Sequence, residues 1–142
     1  MSYKAALNMK PIIILISMSA DSTLSSGDTL ALDTITGSSS HGVTVSSGVI
    51  TLPQGYQWSV QAQCVPTALA SADLDWYVNS SASTTFQNTG ISLLNSASNT
   101  SNLIGFIAVN SISASVDIEL RSSASVTIDA DFSCMILIGY PS

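Results

Sequence analysis

Apolar and polar residues alternate one for one through much of this chain, the two-residue period of a strand with one wet face. The pattern is clearest over 55–64. There Tyr56, Trp58, Val60, Ala62 and Cys64 fall on one side, and Gln57, Ser59, Gln61 and Gln63 on the other. It returns through 111–121, where Ile112, Ala114, Val116, Ile118 and Leu120 oppose Ser111, Ser113, Ser115, Asp117 and Glu119. Residues 73–78 repeat it with Leu74, Trp76 and Val78. Shorter strands are predicted at 30–32, in a hairpin over 43–52 that turns at Ser46-Ser47-Gly48, and near 84–87 and 91–94.

Three stretches depart from this by being apolar on both sides. In 12–18, Ile12, Ile14, Ile16 and Met18 oppose Ile13 and Leu15, and Pro11 is tolerated at a strand start. Leu103 to Val109 is apolar on both faces. From Val126 onward, Ile128, Ala130, Phe132, Cys134, Ile136 and Ile138 share one face of a continuous strand, whose reverse turns apolar at Met135 and Leu137. About eight to ten strands at roughly 8–12-residue spacing, without helices, predict an all-β sandwich or barrel. A two-sheet sandwich covers one side of each strand. The two-sided strands therefore predict that another subunit covers the second side. Residues 1–10 have no period and read as an arm ahead of a single domain at 11–142.

Composition supports this. Of 142 residues, 46% are hydrophobic and only 8% charged, against about 25% charged in an average protein. The polar surface comes from 28 Ser and 12 Thr. Such a chain is too apolar to be disordered and lacks the charged residues that coat soluble helices. Lys4 and Lys10 lie in the arm, and the body carries nine acidic residues against Arg121. A surface of that sign repels phosphate backbones, so nucleic acid is not an expected partner. No apolar run reaches the roughly 18 residues of a membrane span, so a membrane is not expected either. Lys4, Lys10 and the following IIILISMSA are similar to a secretory leader. The apolar run is short and β-branched, however, and reads as the first strand.

On these residues the chain resembles the C1q/TNF-like jelly roll. The apolar strand after Pro11, the hairpin and aromatic strand Gly48-Val-Ile-Thr-Leu-Pro-Gln-Gly-Tyr-Gln-Trp-Ser-Val, and the closing Phe132-Ser-Cys-Met-Ile-Leu-Ile-Gly-Tyr-Pro carry the resemblance. It extends over about residues 11–141. It implies that the first and last strands are neighbours in an inner sheet, which forms a trimer around a threefold axis. Under it, 12–18, 103–109 and 130–139 belong to the inner sheet, and 55–64 and 111–121 to the outer one. The charged, aromatic receptor-binding loops of signalling members are absent, as is a collagen stalk. A short Ser/Thr-rich version with an N-terminal arm is similar to virion proteins of tailed bacteriophages.

Candidate chemistry is sparse. His41 is the single histidine, in the loop GSSSHG, and one imidazole without a partner makes no triad. Three acidic pairs at i, i+2 (Asp73/Asp75, Asp117/Glu119 and Asp129/Asp131) would each place two carboxylates on one strand face. They are weak Ca²⁺ candidates, since Ca²⁺ takes about six oxygen ligands or more. Their simpler role is to mark a wet face and discourage edge pairing. Cys64 and Cys134 both point to the core by parity and are expected as free thiols, because sheets stack about 10 Å apart and a disulfide needs Cα atoms within about 7 Å. Trp58 and Trp76 are expected in the core. No enzyme activity and no cofactor are expected.

The expected role is therefore structural. By the resemblance, the chain is a homotrimeric virion protein that decorates or cements a capsid and contacts other capsid or tail proteins. The expected trimer interface holds Ile13, Leu15, Tyr77 and Ile104, with Phe106, Ala108, Met135 and Leu137. The expected docking residues are Tyr3, Lys4, Leu7, Met9 and Lys10. The alternative is a phage fibre-tip knob binding a host glycan or protein through polar loops, chiefly 79–102.

Overall fold

A computed structural model describes residues 10–37, 39–68, 72–82 and 103–142. Every regular element among them is a strand: β1 (Ile12–Ser17), β2 (Ser22–Leu24), β3 (Thr34–Thr36), β4 (Thr44–Ser46), β5 (Val49–Leu52) and β6 (Tyr56–Cys64), followed by β7 (Leu74–Val78), β8 (Ser81–Ala82), β9 (Leu103–Asn110), β10 (Val116–Ser122), β11 (Val126–Ile128) and β12 (Cys134–Pro141). The β-branched residues and the alternation explain this, because a pleated ribbon buries every second side chain.

The strands make two five-stranded antiparallel sheets and one small pair. The first sheet runs β3-β1-β12-β6-β9, the second β4-β5-β10-β7-β8, and β11 pairs with β2. β1 lies beside β12 with Ile14 opposite Leu137 and Ile16 opposite Met135. The expected neighbourhood of first and last strands is thus present. Between the sheets, Ile14, Ile16, Val60, Met135 and Leu137 of the first meet Ile50, Leu52, Trp76, Ile118 and Leu120 of the second, all at or near zero exposure. Each such burial contributes about 1.5–3 kcal/mol.

The hairpin β4–β5 forms where expected. Its two turn residues, Ser47 and Gly48, have φ of 50° and 79°, the left-handed geometry that matches strand twist. A side chain on Gly48 would run into the Leu30 carbonyl, so the turn sits tight against the Leu30 loop.

Four expectations about strands need correction. Residues 30–32, expected as a strand, lie in the loop between β2 and β3, with Leu30 and Leu32 buried. Residues 55–64 alternate as expected, with Trp58, Val60, Ala62 and Cys64 buried, but β6 lies in the first sheet between β12 and β9. Alternation tells which side of a strand is wet, and not which sheet holds it. The alternating run 111–121 is a strand only from Val116. The Asn110 side chain accepts a hydrogen bond from the Ile112 amide at 2.9 Å and turns the chain out of β9 toward β10. Finally, 126–139 is two strands in different sheets. The Asp129 side chain accepts from the Asp131 amide at 2.8 Å, and the chain turns before β12 begins. That turn reverses the parity of everything after it.

Candidate functional site

Facing residues of antiparallel neighbours share a face, so the outward side chains of the first sheet line up in rows. One row runs Leu15, Ile136, Gln61, Phe106. Beside it run Ile13, Ile138, Ser59, Ala108 on one side and Ser17, Cys134, Gln63, Ile104 on the other. A shorter row holds Tyr140, Gln57 and Asn110. The column from β6 is Gln57, Ser59, Gln61 and Gln63; the columns of β12 and β9 on either side of it are mainly apolar.

Six of the seven exposed large hydrophobic residues among the described residues lie here: Ile13, Leu15, Ile104, Phe106, Ile136 and Tyr140. The seventh, Phe132, sits in the turn leading into β12. Phe106 is 68% and Ile13 67% exposed, so most of each apolar side chain meets water. Scattered surface apolar residues are ordinary, but a contiguous set marks a contact surface. The face is also uncharged: no strand of this sheet contains Asp, Glu, Lys or Arg.

The second sheet's outer face is the opposite in character. Asp117 and Glu119 project from β10, opposite Thr51 and Tyr77. Thr51 donates to Asp117 Oδ1 at 2.7 Å. Glu119 is nearly buried because Arg121 forms an ion pair with it and Thr29 donates to it at 2.9 Å. The hydrogen bond that Arg121 donates to Glu119 raises the pKa of its guanidinium, which lies 4.1 Å from the centre of the Tyr77 ring. Asp75, opposite Arg121, has its pKa raised by burial and then by the neighbouring Asp73.

The structure brings Ile13, Leu15, Ile104, Phe106 and Ala108 together on the uncharged face, as the sequence reading grouped them. It separates the other three. Tyr77 belongs to the second sheet, beneath Arg121. Met135 and Leu137 point into the core at 0% exposure, because the 129–133 turn shifts the parity of β12. Their places on the face are taken by Ile136 and Ile138, with Tyr140 beyond them, all of which the reading missed. The signal available was Asp129-Ala130-Asp131: aspartate is depleted in strands and favours turns. Tyr3, Lys4, Leu7 and Met9 lie outside the described residues, and Lys10 is exposed just ahead of β1. Most of loop 79–102 also lies outside them.

The acidic pairs diverge. Asp117 and Glu119 share a strand face, but Asp129 and Asp131 form a turn, and Asp73 lies ahead of β7. Among the described residues no three His, Cys, Asp or Glu side chains gather as a metal site. His41 is exposed in a turn with φ 51°. Both cysteines are free. Cys64 faces the core, where burial pushes its thiol up to about 12, whereas Cys134, expected inside, lies half-buried on the outward face.

No protein-family model matches this sequence. No curated protein matches it either. Solved structures do match in shape. Eiger TNF from S. frugiperda superposes with a TM-score of 0.59 at 12% identity, covering 90% of this chain and 91% of that one. Murine APRIL does so at 0.56 and 7% identity, covering 91% and 98%. At such identities the likeness is one of architecture: the chain is an all-β sandwich with the TNF-like jelly-roll fold.

Proposed function

We propose that this protein is a non-enzymatic structural subunit that associates with copies of itself, as a homotrimer, through the uncharged outward face of the β3-β1-β12-β6-β9 sheet. The observation that carries this reading is the concentration of exposed Ile13, Leu15, Ile104, Phe106, Ile136 and Tyr140 on one charge-free face. A chain of net charge −6 repels its own copies wherever acids meet. On this face there are none to meet. The number three follows from the resemblance to C1q/TNF-like domains.

The finer form of the proposal is a capsid-decoration protein of a tailed-bacteriophage virion, docked through residues 1–10. Its support is the resemblance: a short, Ser/Thr-rich jelly roll preceded by an arm, without the charged, aromatic receptor-binding loops of signalling members. Light scattering on the purified chain tests the assembly, with a mass of three subunits expected. Phe106→Asp, which puts a charge on the open face, is expected to give folded monomers. A monomeric wild type, or unchanged trimers in the variant, would refute the reading. Removing residues 1–10 is expected to leave trimers intact and abolish binding to capsids.

A further inference from the structure

The uncharged face is not uniformly apolar. Its β6 column, one strand in from the β9 edge, is Gln57, Ser59, Gln61 and Gln63, and the mainly apolar columns of β12 and β9 flank it. Gln61 sits between Ile136 and Phe106, neither of which can hydrogen-bond its amide. A glutamine amide has two donor hydrogens and an oxygen with two acceptor positions. Among the described residues, Gln63 finds one partner, the Phe132 carbonyl, at a long 3.5 Å. When the face is covered, amides flanked by apolar columns on both sides lose their water, and a dry unpaired amide is costly.

Resting on the self-association reading above, we propose that the β6 column is a specificity-determining seam. Gln61 and Gln63, with Gln57 and Ser59, hydrogen-bond polar groups of the neighbouring copies and thereby fix register and copy number. The occupant is a second copy because the face carries no charge that would select a charged partner. The face also offers matching polar groups of its own, spaced by the regular two-residue step of a strand. Apolar columns alone attract in many sliding registers. A polar column in their midst permits only those in which every amide is paired, at some cost in affinity.

Native mass spectrometry of the wild type, Gln61→Met and Gln61→Met/Gln63→Met tests this. Methionine keeps the length of glutamine and removes its hydrogen bonds, and these side chains point away from the subunit core. Expected are one oligomeric mass for the wild type and several copy numbers for the double variant. More than a tenth of the variant should leave the wild-type stoichiometry, with self-association at least as tight. Gln61→Asn, which keeps an amide, should hold the single mass better than Gln61→Met. A wild-type oligomer whose methionine variants keep the same single mass would overturn the seam and leave the assembly standing. A monomeric wild type would overturn both.

Discussion

Gly139 lies beneath the indole of Trp58, its partner across β12 and β6. A methyl group there would stand 2.6 Å from Trp58 Cζ3. The ring has little freedom to retreat. Its Nε1 donates to Ser111 Oγ at 2.9 Å, and Ser111 in turn donates to the Pro53 carbonyl at 2.7 Å. Gly139→Ala is expected to destabilise the subunit by about 1–3 kcal/mol, the usual range for overpacking. Denaturant unfolding followed by tryptophan fluorescence measures this, and an unchanged midpoint would mean that the indole yields freely.

Met135 and Ile136 are adjacent in sequence and face opposite ways. Met135→Ala should cost the subunit about 2–5 kcal/mol, because it empties a fully buried site. Ile136→Ser should leave the melting of the isolated subunit nearly unchanged and weaken self-association. Equal effects of the two on subunit stability would show that the face of β12 has been assigned wrongly.

That pair also marks where the sequence was legible. The strand character of β1, β6, β9 and β12 followed from apolar content and period, and the core placement of Trp58 and Trp76 from alternation. The grouping of Ile13, Leu15, Ile104 and Phe106 followed from strands too apolar to have one face. What failed was long-range parity. Alternation survives only as far as the strand does, and the turn at Asp129 and Asp131 inserted a break that the apolar run concealed. The sheet to which β6 belongs was hidden for another reason. Its glutamine face has the composition of a surface open to water, and pairing partners are a property of topology. The seam was therefore visible as residues and invisible as a site.

Arg121 shields Glu119 from water. Arg121→Met would leave a nearly buried carboxylate with the Thr29 hydroxyl as its remaining partner among the described residues. A loss of about 1–3 kcal/mol is expected. The double variant Arg121→Met/Glu119→Gln should recover part of it, since the unpaired charge is gone. A double variant no more stable than the single one in thermal melts would rule out this account.

Two aspartates respond to pH with opposite signs. The raised pKa of Asp75 means that the folded chain holds that proton more tightly than the unfolded chain, so ionisation costs stability. Asp75→Asn should therefore stabilise slightly at neutral pH, within about 0.5 kcal/mol for a surface site. The gain should vanish as the pH falls below the ordinary carboxylate value of 3.8. Asp33 is the reverse: hydrogen bonds from Ser19 and Thr34 lower its pKa. Asp33→Asn should weaken the fold at neutral pH, with the difference closing in acid. Melting curves from pH 3 to 7 that shift in the same direction for both would contradict this.

The two thiols should differ in reactivity. Cys64 is buried and its thiol is pushed up to about 12, so a neutral-pH alkylating reagent should not touch it in the folded protein. Cys134 stands half-buried on the outward face, between Ser17 and Gln63. Labelling counted by mass should show one modified cysteine in dilute protein and progressively less as concentration drives association. Concentration-independent labelling of Cys134 would mean that the face stays open.

The pairing of β1 with β12 bears on how the molecule is made. β1 comes first in the chain order and β12 last, yet they are immediate neighbours, and β12 in turn joins β1 to β6. During synthesis at about 5–20 residues per second, Ile12–Ser17 must wait for Cys134–Pro141 with its apolar side chains and one edge unpaired. Long-range pairing of this kind slows folding. The first sheet cannot close until the twelfth strand has cleared the exit tunnel, so folding of this domain is expected to follow its translation rather than accompany it.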